Sequence, residues 1–250
     1  MTAPVPRLRM FAGPNGSGKS TIKDMLPPQW LGVYVNADEI EKTIRTDGYL
    51  NLADFEVLAD AAELQAFLQA STLLAKAGLL PQAQQLTVVD GKVGFGAVVV
   101  NSYWASVLAD FIRHKLLAAQ VSFTFETVMS SPDKVDFLHK AQQAGYRTYL
   151  YFVATEDAEI NVARVQYRVE TGGHPVAEDK IRSRYVRSLE LLPQAVAYAD
   201  RAYIFDNSGS ERVWIAEVTD GVEIEMKADE MPAWFETALW DKFEPDESAP

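Results

Sequence analysis

Cysteine is absent from the 250 residues, which excludes disulfides and thiolate metal sites and is compatible with a reducing compartment. No uninterrupted apolar run reaches the roughly eighteen residues a membrane-spanning helix requires. The opening MTAPVPRLRM lacks the apolar centre of a secretory leader, so a cytoplasmic protein without membrane insertion is expected. Basic residues are scarce: 23 Lys and Arg against 35 Asp and Glu leave a net charge of −12. That balance argues against a surface that embraces nucleic acid as a whole, while a local basic groove stays open. Internal repeats and long linkers are also missing. What is there in quantity is apolar residue, 48% of the chain, enough for one α/β domain with decorations or for two small ones. We read residues 1–250 as a single domain.

The most specific stretch is FAGPNGSGKST, residues 11–21. Gly13-Pro14-Asn15-Gly16-Ser17-Gly18-Lys19-Ser20 fits G-x-x-x-x-G-K-[ST], and it follows the apolar run LRMF, a suitable first strand. Glycines at 13, 16 and 18 let successive N–H groups point inward, and a helix beginning near Lys19 adds its positive end to the same concavity. A triphosphate fits there. Lys19, read as an exposed loop lysine, reaches the β- and γ-phosphates; the Ser20 hydroxyl is placed to ligate Mg²⁺, and Thr21 to lie near the α-phosphate. The bland reading is a glycine-rich turn that only joins a strand to a helix.

Along the chain, KSTIKDML reads as a short helix stopped by Pro27-Pro28, and GVYVNAD as a second strand ending on Asp38. Residues 52–77 carry apolar positions at helical spacing and end at Gly78, predicting one long helix. QLTVVDGKVGF predicts a hairpin turning at Asp90-Gly91, so residues 80–100 read as an insertion and Asp90 as a turn residue rather than a metal-binding acid. A helix over 102–119, a strand VSFTFETV, a helix from Ser131-Pro132 to Gly145, a strand TYLYFVA, a helix from about Glu156 and a strand RAYIFDNS follow. A second hairpin over 213–227 around Asp220-Gly221, a closing helix over 231–243 and a frayed tail EPDESAP complete the reading. Together, the hairpin and helix form an extension at about 210–243. The alternation implies an α/β fold: a doubly wound, parallel, five-stranded sheet with helices on both faces and ligands at the carboxyl ends of the strands.

Several residues could carry chemistry beside the loop. Asp38 ends the second strand, where a kinase needs a carboxylate to accept a hydroxyl proton; it is equally a favoured cap for the helix beginning near Glu39. Glu126 and Thr127 end the next core strand and could bind substrate hydroxyls or hold Mg²⁺ through water, or be polar strand ends with no chemical role. From Arg164 to Arg187 the chain has five Arg and one Lys against three acids, a local +3 that leaves −15 elsewhere. Arg164 and Arg168 share a helix face, ETGGHPV can bend, and Arg182, Arg184 and Arg187 follow on the next helix, the layout of a mobile arginine lid. A solvated basic face is the alternative for any one of these arginines. His174 reads as a turn residue. Asp206-Asn207-Ser208-Gly209 matches D-x-x-G, but no N-K-x-D follows; Asn207 instead reads as bordering a nucleotide base.

In this order FAGPNGSGKST, VNADEI, FTFETVMS, RVQYRVETGGHPV, KIRSRYVRSL and RAYIFDNS resemble the zeta-toxin family of P-loop kinases over roughly residues 7–208, apart from the stretch around 80–100. The resemblance implies a kinase dependent on ATP and Mg²⁺, whose best-known members phosphorylate the 3′-hydroxyl of UDP-N-acetylglucosamine and are neutralised by an antitoxin. It gives Lys19 the phosphates, Asp38 the role of base, Glu126 and Thr127 the substrate, and makes Arg164, Arg168 and Arg182 lid candidates. The hairpin near 90 and the C-terminal extension depart from the compact toxin pattern. A small-molecule kinase leads; a nucleotide-gated regulatory switch and a kinase of nucleic-acid ends remain alternatives.

Overall fold

Strand β1 (Arg7–Ala12) is buried at every position from Leu8 onward, as expected of a strand covered on both faces in a parallel sheet. The computed structural model describes residues 4–173 and 175–243; His174 and the tail EPDESAP, read above as a turn and as frayed, lie outside the described residues. The other strands are β2 (Val33–Val35), β3 (Tyr49–Asn51), β4 (Thr87–Val89), β5 (Lys92–Gly94), β6 (Phe123–Thr127), β7 (Arg147–Ala154), β8 (Arg201–Asp206), β9 (Val213–Thr219) and β10 (Glu223–Met226). The helices are α1 (Pro28–Leu31), α2 (Ala37–Asp47), α3 (Ala61–Gln69), α4 (Thr72–Lys76), α5 (Leu80–Ala83), α6 (Ser102–Ala118), α7 (Pro132–Gln143), α8 (Ala158–Glu170), α9 (Glu178–Glu190), α10 (Leu192–Ala197) and α11 (Ala233–Ala238). The fold is mixed α/β with a mainly parallel central sheet. Where the sequence reads as one domain, the backbone gathers into two compact units: the segments up to Leu31 and from Glu126 onward, and Gly32–Phe125.

In the first unit β7 pairs in parallel with β1 on one side and β8 on the other. Beyond β8 the direction reverses: β9 is antiparallel to β8 and β10 to β9. The hairpin predicted over 213–227 is therefore the margin of this sheet rather than an appendage. Its turn residues Asp220 and Gly221 have φ of 51° and 72°, the pair of positive values a tight two-residue hairpin requires. Asp200 fastens β8 to β7, its Oδ2 accepting from Thr148 N at 2.6 Å and Thr148 Oγ1 at 2.7 Å. Leu8, Met10, Leu150, Phe152, Ile204 and Phe235 are fully buried. The closing helix is shorter than expected, α11 followed by a 3-10 turn, Trp240–Lys242.

In the second unit β2 pairs in parallel with the first three residues of β6. The hairpin β4–β5 forms as expected, with Asp90 and Gly91 at φ 50° and 73°. It is joined by β3, which no alternation marked, in an antiparallel sheet β3-β5-β4. The single helix expected over 52–77 is corrected to a 3-10 turn, Leu52–Phe55, then α3 and α4. Apolar spacing is the same in one helix or two, but caps decide where each begins. Asp60 and Glu63 form a reciprocal capping box, and Ser71 Oγ accepts from Leu74 N at 3.2 Å. Among the described residues no helix is long and apolar enough to cross a membrane.

Candidate nucleotide site

The P-loop lies between β1 and a 3-10 helix, Lys19–Met25. The expected helix is thus a tighter, shorter coil, so the pull on an anion rests on the loop's N–H groups and on Lys19 rather than on an α-helical dipole. Two glycines are fixed by close approach. A Cβ on Gly13, whose φ is 140°, would stand 2.0 Å from Val153 O of β7; one on Gly18, with φ 96°, would stand 2.3 Å from Asn207 Nδ2. Lys19 is 7% exposed, which corrects the exposed lysine of the sequence reading: its ammonium folds back across the loop and donates to Pro14 O at 2.8 Å. Among the described residues, buried Ser17 Oγ has no hydrogen-bond partner.

Ser20 Oγ, at the position expected to meet a metal, lies 3.4 Å from Glu126 Oε1 at the end of β6. The two are hard oxygen donors, the chemistry Mg²⁺ prefers. Thr127 turns its hydroxyl to its own backbone, accepting from Met129 N at 3.1 Å where Met129 takes φ 53°. Asn207 reaches the loop, donating to Ser17 O at 2.7 Å. Asp206, of the discounted D-x-x-G, is 8% exposed and accepts from Ser208 N at 2.9 Å, Ser208 Oγ at 2.8 Å and Trp234 Nε1 at 2.7 Å. It is a buried carboxylate that accepts three hydrogen bonds.

The arginine segment forms α8, a turn with Gly172 at φ 94°, and α9. Val176 of that turn packs on Val162, Val165 and Ile181, so the two helices share a small core. Their cations do different things. Arg164 donates to the carbonyls of Asn207 at 2.6 Å and Gly209 at 3.2 Å. Arg182 pairs with Glu159 and Glu178. Arg168 is exposed, and its carbonyl accepts from Gly173 N at 2.8 Å. Arg184, which the sequence reading left within the cluster, is the member that reaches the P-loop, with Nη1 at 3.4 Å from Asn15 Oδ1.

Three polar residues with no sequence signal hold the loop from behind. Tyr185 of α9 donates to Thr155 O at 2.6 Å, Thr155 Oγ1 bonds Asn161 Oδ1, and Asn161 Nδ2 donates to Asn15 O at 2.5 Å. Burial, then the nearby Glu156, Asp157 and Asp206 carboxylates, raise the Tyr185 phenol, keeping it a donor. Arg212, on the loop after β8, donates from Nη1 to Thr21 Oγ1 at 2.6 Å; its place past the fifth core strand was the available clue.

In the second unit, Asp38 lies exposed in the first turn of α2. The cap there is Asn36, whose Oδ1 accepts from Asp38 N at 2.8 Å and Glu39 N at 3.4 Å. The reading of Asp38 as a cap is corrected: the helix starts two residues earlier than spacing suggested.

The zeta toxin family model matches residues 96–219, about half of the chain. It takes in Glu126, Thr127, the arginine helices, Asn207 and Arg212, while the P-loop and Asp38 precede it. An uncharacterized protein of Haemophilus influenzae is 31% identical over 72 residues, 29% of this chain and 51% of its own length. The chain thus spans about half the length of that curated relative. Among solved structures, a chain of the AvrRxo1-ORF1:AvrRxo1-ORF2 complex with sulphate ions matches with a TM-score of 0.54 at 15% identity, over 98% of this chain and 65% of its own. The AvrRxo1-ORF1:-ORF2 complex with ATP matches at 0.50, with the same identity and coverage. A chain of the PezAT chromosomal toxin-antitoxin system of Streptococcus pneumoniae matches at 0.50 and 14% identity, over 98% of this chain and 82% of its own. At such identities the likeness is one of fold.

Proposed function

We propose that the chain is a P-loop kinase, a reading its zeta toxin match at residues 96–219 supports, and that it transfers the γ-phosphate of ATP to a hydroxyl of a small molecule. The observation that carries the reading is the conjunction at the P-loop: a complete phosphate cradle with its lysine, and Ser20 beside Glu126. ATP is favoured as the donor by the related complex crystallised with it.

The chain's own groups divide the work. Loop N–H groups and Lys19 bind the β- and γ-phosphates, Lys19 exchanging Pro14 O for a stronger, anionic acceptor. Ser20 and Glu126 would hold Mg²⁺, which when bound neutralises charge on the phosphates. Asp38 accepts the proton as the acceptor oxygen bonds to the γ-phosphorus and the bond to the ADP oxygen breaks. The contact of Arg184 with Asn15 supports a role in stabilising the transferring group, with Arg168 and Arg182 as further cations once Arg182 leaves its carboxylates; such arginines contribute roughly 10³ to 10⁵ in rate. Arg164 supports the reading as a clamp on the loop after β8, and Asn207 and Thr127 as framing residues. For the acceptor we propose a sugar nucleotide such as UDP-N-acetylglucosamine, and for a partner an antitoxin protein, both resting on the family likeness.

The test is incubation with γ-labelled ATP, Mg²⁺ and either UDP-N-acetylglucosamine or a metabolite extract. Label in the sugar nucleotide supports the full proposal, and label in another metabolite supports the kinase with a different acceptor. Label only in free phosphate overturns small-molecule transfer in favour of a nucleotide-gated switch.

A further inference from the structure

Arg212 lies where a nucleotide's α-phosphate is expected. Thr21 is the second residue past Lys19, at the end of the loop whose N–H groups cradle the α- and β-phosphates. Its hydroxyl already donates to Gly18 O at 2.8 Å, so its one proton is committed, and it is this same oxygen that accepts from Arg212 Nη1 at 2.6 Å. A guanidinium carries five donors, of which this contact uses one.

The surroundings of Arg212 leave its charge only partly compensated. It is half-buried, with its guanidinium carbon 5.7 Å from the centre of the Phe205 ring. Burial lowers its pKa, opposed by the charge of Asp24; a guanidinium nonetheless stays protonated. A partly desolvated cation on a neutral hydroxyl gains when an anion arrives.

The element that delivers it is anchored rather than hinged. Asn207 is bonded to Ser17 O, Arg164 grips the carbonyls of Asn207 and Gly209, and Ser208 closes on Asp206. Arg212 thus differs from the arginines of α8 and α9, which flank a glycine turn.

We propose that Arg212 is a nucleotide-binding residue that pairs with the α-phosphate, a proposal that rests on the P-loop kinase reading. The α-phosphate is present in both ATP and ADP and keeps its charge through transfer. Its partner therefore sets affinity for both nucleotides alike and adds little that is special to the transition state.

The test is calorimetric binding of ADP and of ATP to the wild type and to Arg212→Ala, Arg212→Lys, Thr21→Val and the Arg212→Ala/Thr21→Val double variant, with the melting temperature of each nucleotide-free protein as control. Arg212→Ala is expected to weaken ADP and ATP equally, by about 10- to 100-fold, the range of one charge-assisted hydrogen bond, with Arg212→Lys between. The loss from Arg212→Ala should persist in the Thr21→Val background. If Arg212 only props Thr21, the double variant binds like Thr21→Val alone and the proposal fails. A loss confined to ATP would move Arg212 to the γ-phosphate and also overturns it. Wild-type protein that binds ADP while Arg212→Ala binds it as tightly sinks this inference and spares the kinase reading; wild-type protein that binds neither nucleotide sinks both. Should Arg212→Ala fail to fold, Arg212→Lys is decisive: a folded lysine variant weakened equally for ADP and ATP supports the pairing, and one that binds both as tightly as the wild type overturns it.

Discussion

Asp38 stands exposed in the first turn of α2, while Asn36 Oδ1 accepts the two N–H groups that begin the helix. A carboxylate there contributes about 0.3–1 kcal/mol through the helix dipole and is not needed as a cap. Asp38→Asn is therefore a clean test of chemistry. It should lower phosphoryl transfer by roughly 10² to 10⁴, the usual share of a positioned base, while leaving ADP affinity within about threefold and stability within about 1 kcal/mol. Steady-state transfer, ADP titration and urea unfolding measure the three. Full transfer activity in Asp38→Asn would return the search for a base to Glu126. The loop itself was legible in the sequence because backbone geometry demands particular residues there: only glycine fits at Gly13 and Gly18. The fold-back of Lys19 onto Pro14 O was not legible, since a side chain's choice among nearby carbonyls leaves no mark on composition.

At the scale of elements, the P-loop is held by a polar line that runs from α9 through the end of β7 and the first turns of α8. Thr155 and Asn161 are fully buried. Asn161 satisfies Thr155 Oγ1 on one side and Asn15 O on the other. Its backbone also bounds the loop, for a Cβ on Gly16 would come within 2.7 Å of Asn161 O. Asn161→Ala keeps the helix but strands the Asn15 carbonyl, at a cost of about 1–3 kcal/mol, and loosens the loop proposed to bind phosphates. The expected result is a lower urea midpoint together with ADP affinity reduced about tenfold, the equivalent of about 1.4 kcal/mol. A variant equally destabilised but with wild-type ADP affinity would show that this line supports the fold alone. No periodicity marks such residues: an Asn on the buried face of a helix looks like a flaw in the apolar stripe until its partners are seen. The same limit explains α3 and α4, whose shared helical spacing hid the Ser71 cap between them.

Over the whole molecule, the alternation of strands and helices announced a mainly parallel α/β fold, because crossover helices are what parallel strands require. β9 and β10 escaped the sheet reading because a hairpin's own pattern is satisfied by local pairing; that β9 continues past β8 is a long-range fact. The fold also buries tyrosines the sequence presents as ordinary. Burial pushes Tyr146 up to about 12, and burial, with Tyr203 next in weight, does the same for Tyr151. Burial likewise raises Tyr203 and Tyr185. In the unfolded chain these phenols titrate near an ordinary value of about 10. A folded-state pKa raised above the unfolded one means the native protein holds its protons more tightly, so this contribution is complete below about pH 10 and is lost as pH climbs toward 12. Stability from urea unfolding should be flat in this respect from pH 8 to about 9.5 and then fall steeply. Phenolate absorbance of the buried set should rise together with loss of structure. Tyr151→Phe should shrink that rise and soften the alkaline fall. Titration of the buried tyrosines near pH 10 with the fold intact would contradict the burial argument, because it would require water to reach phenols that the fold encloses.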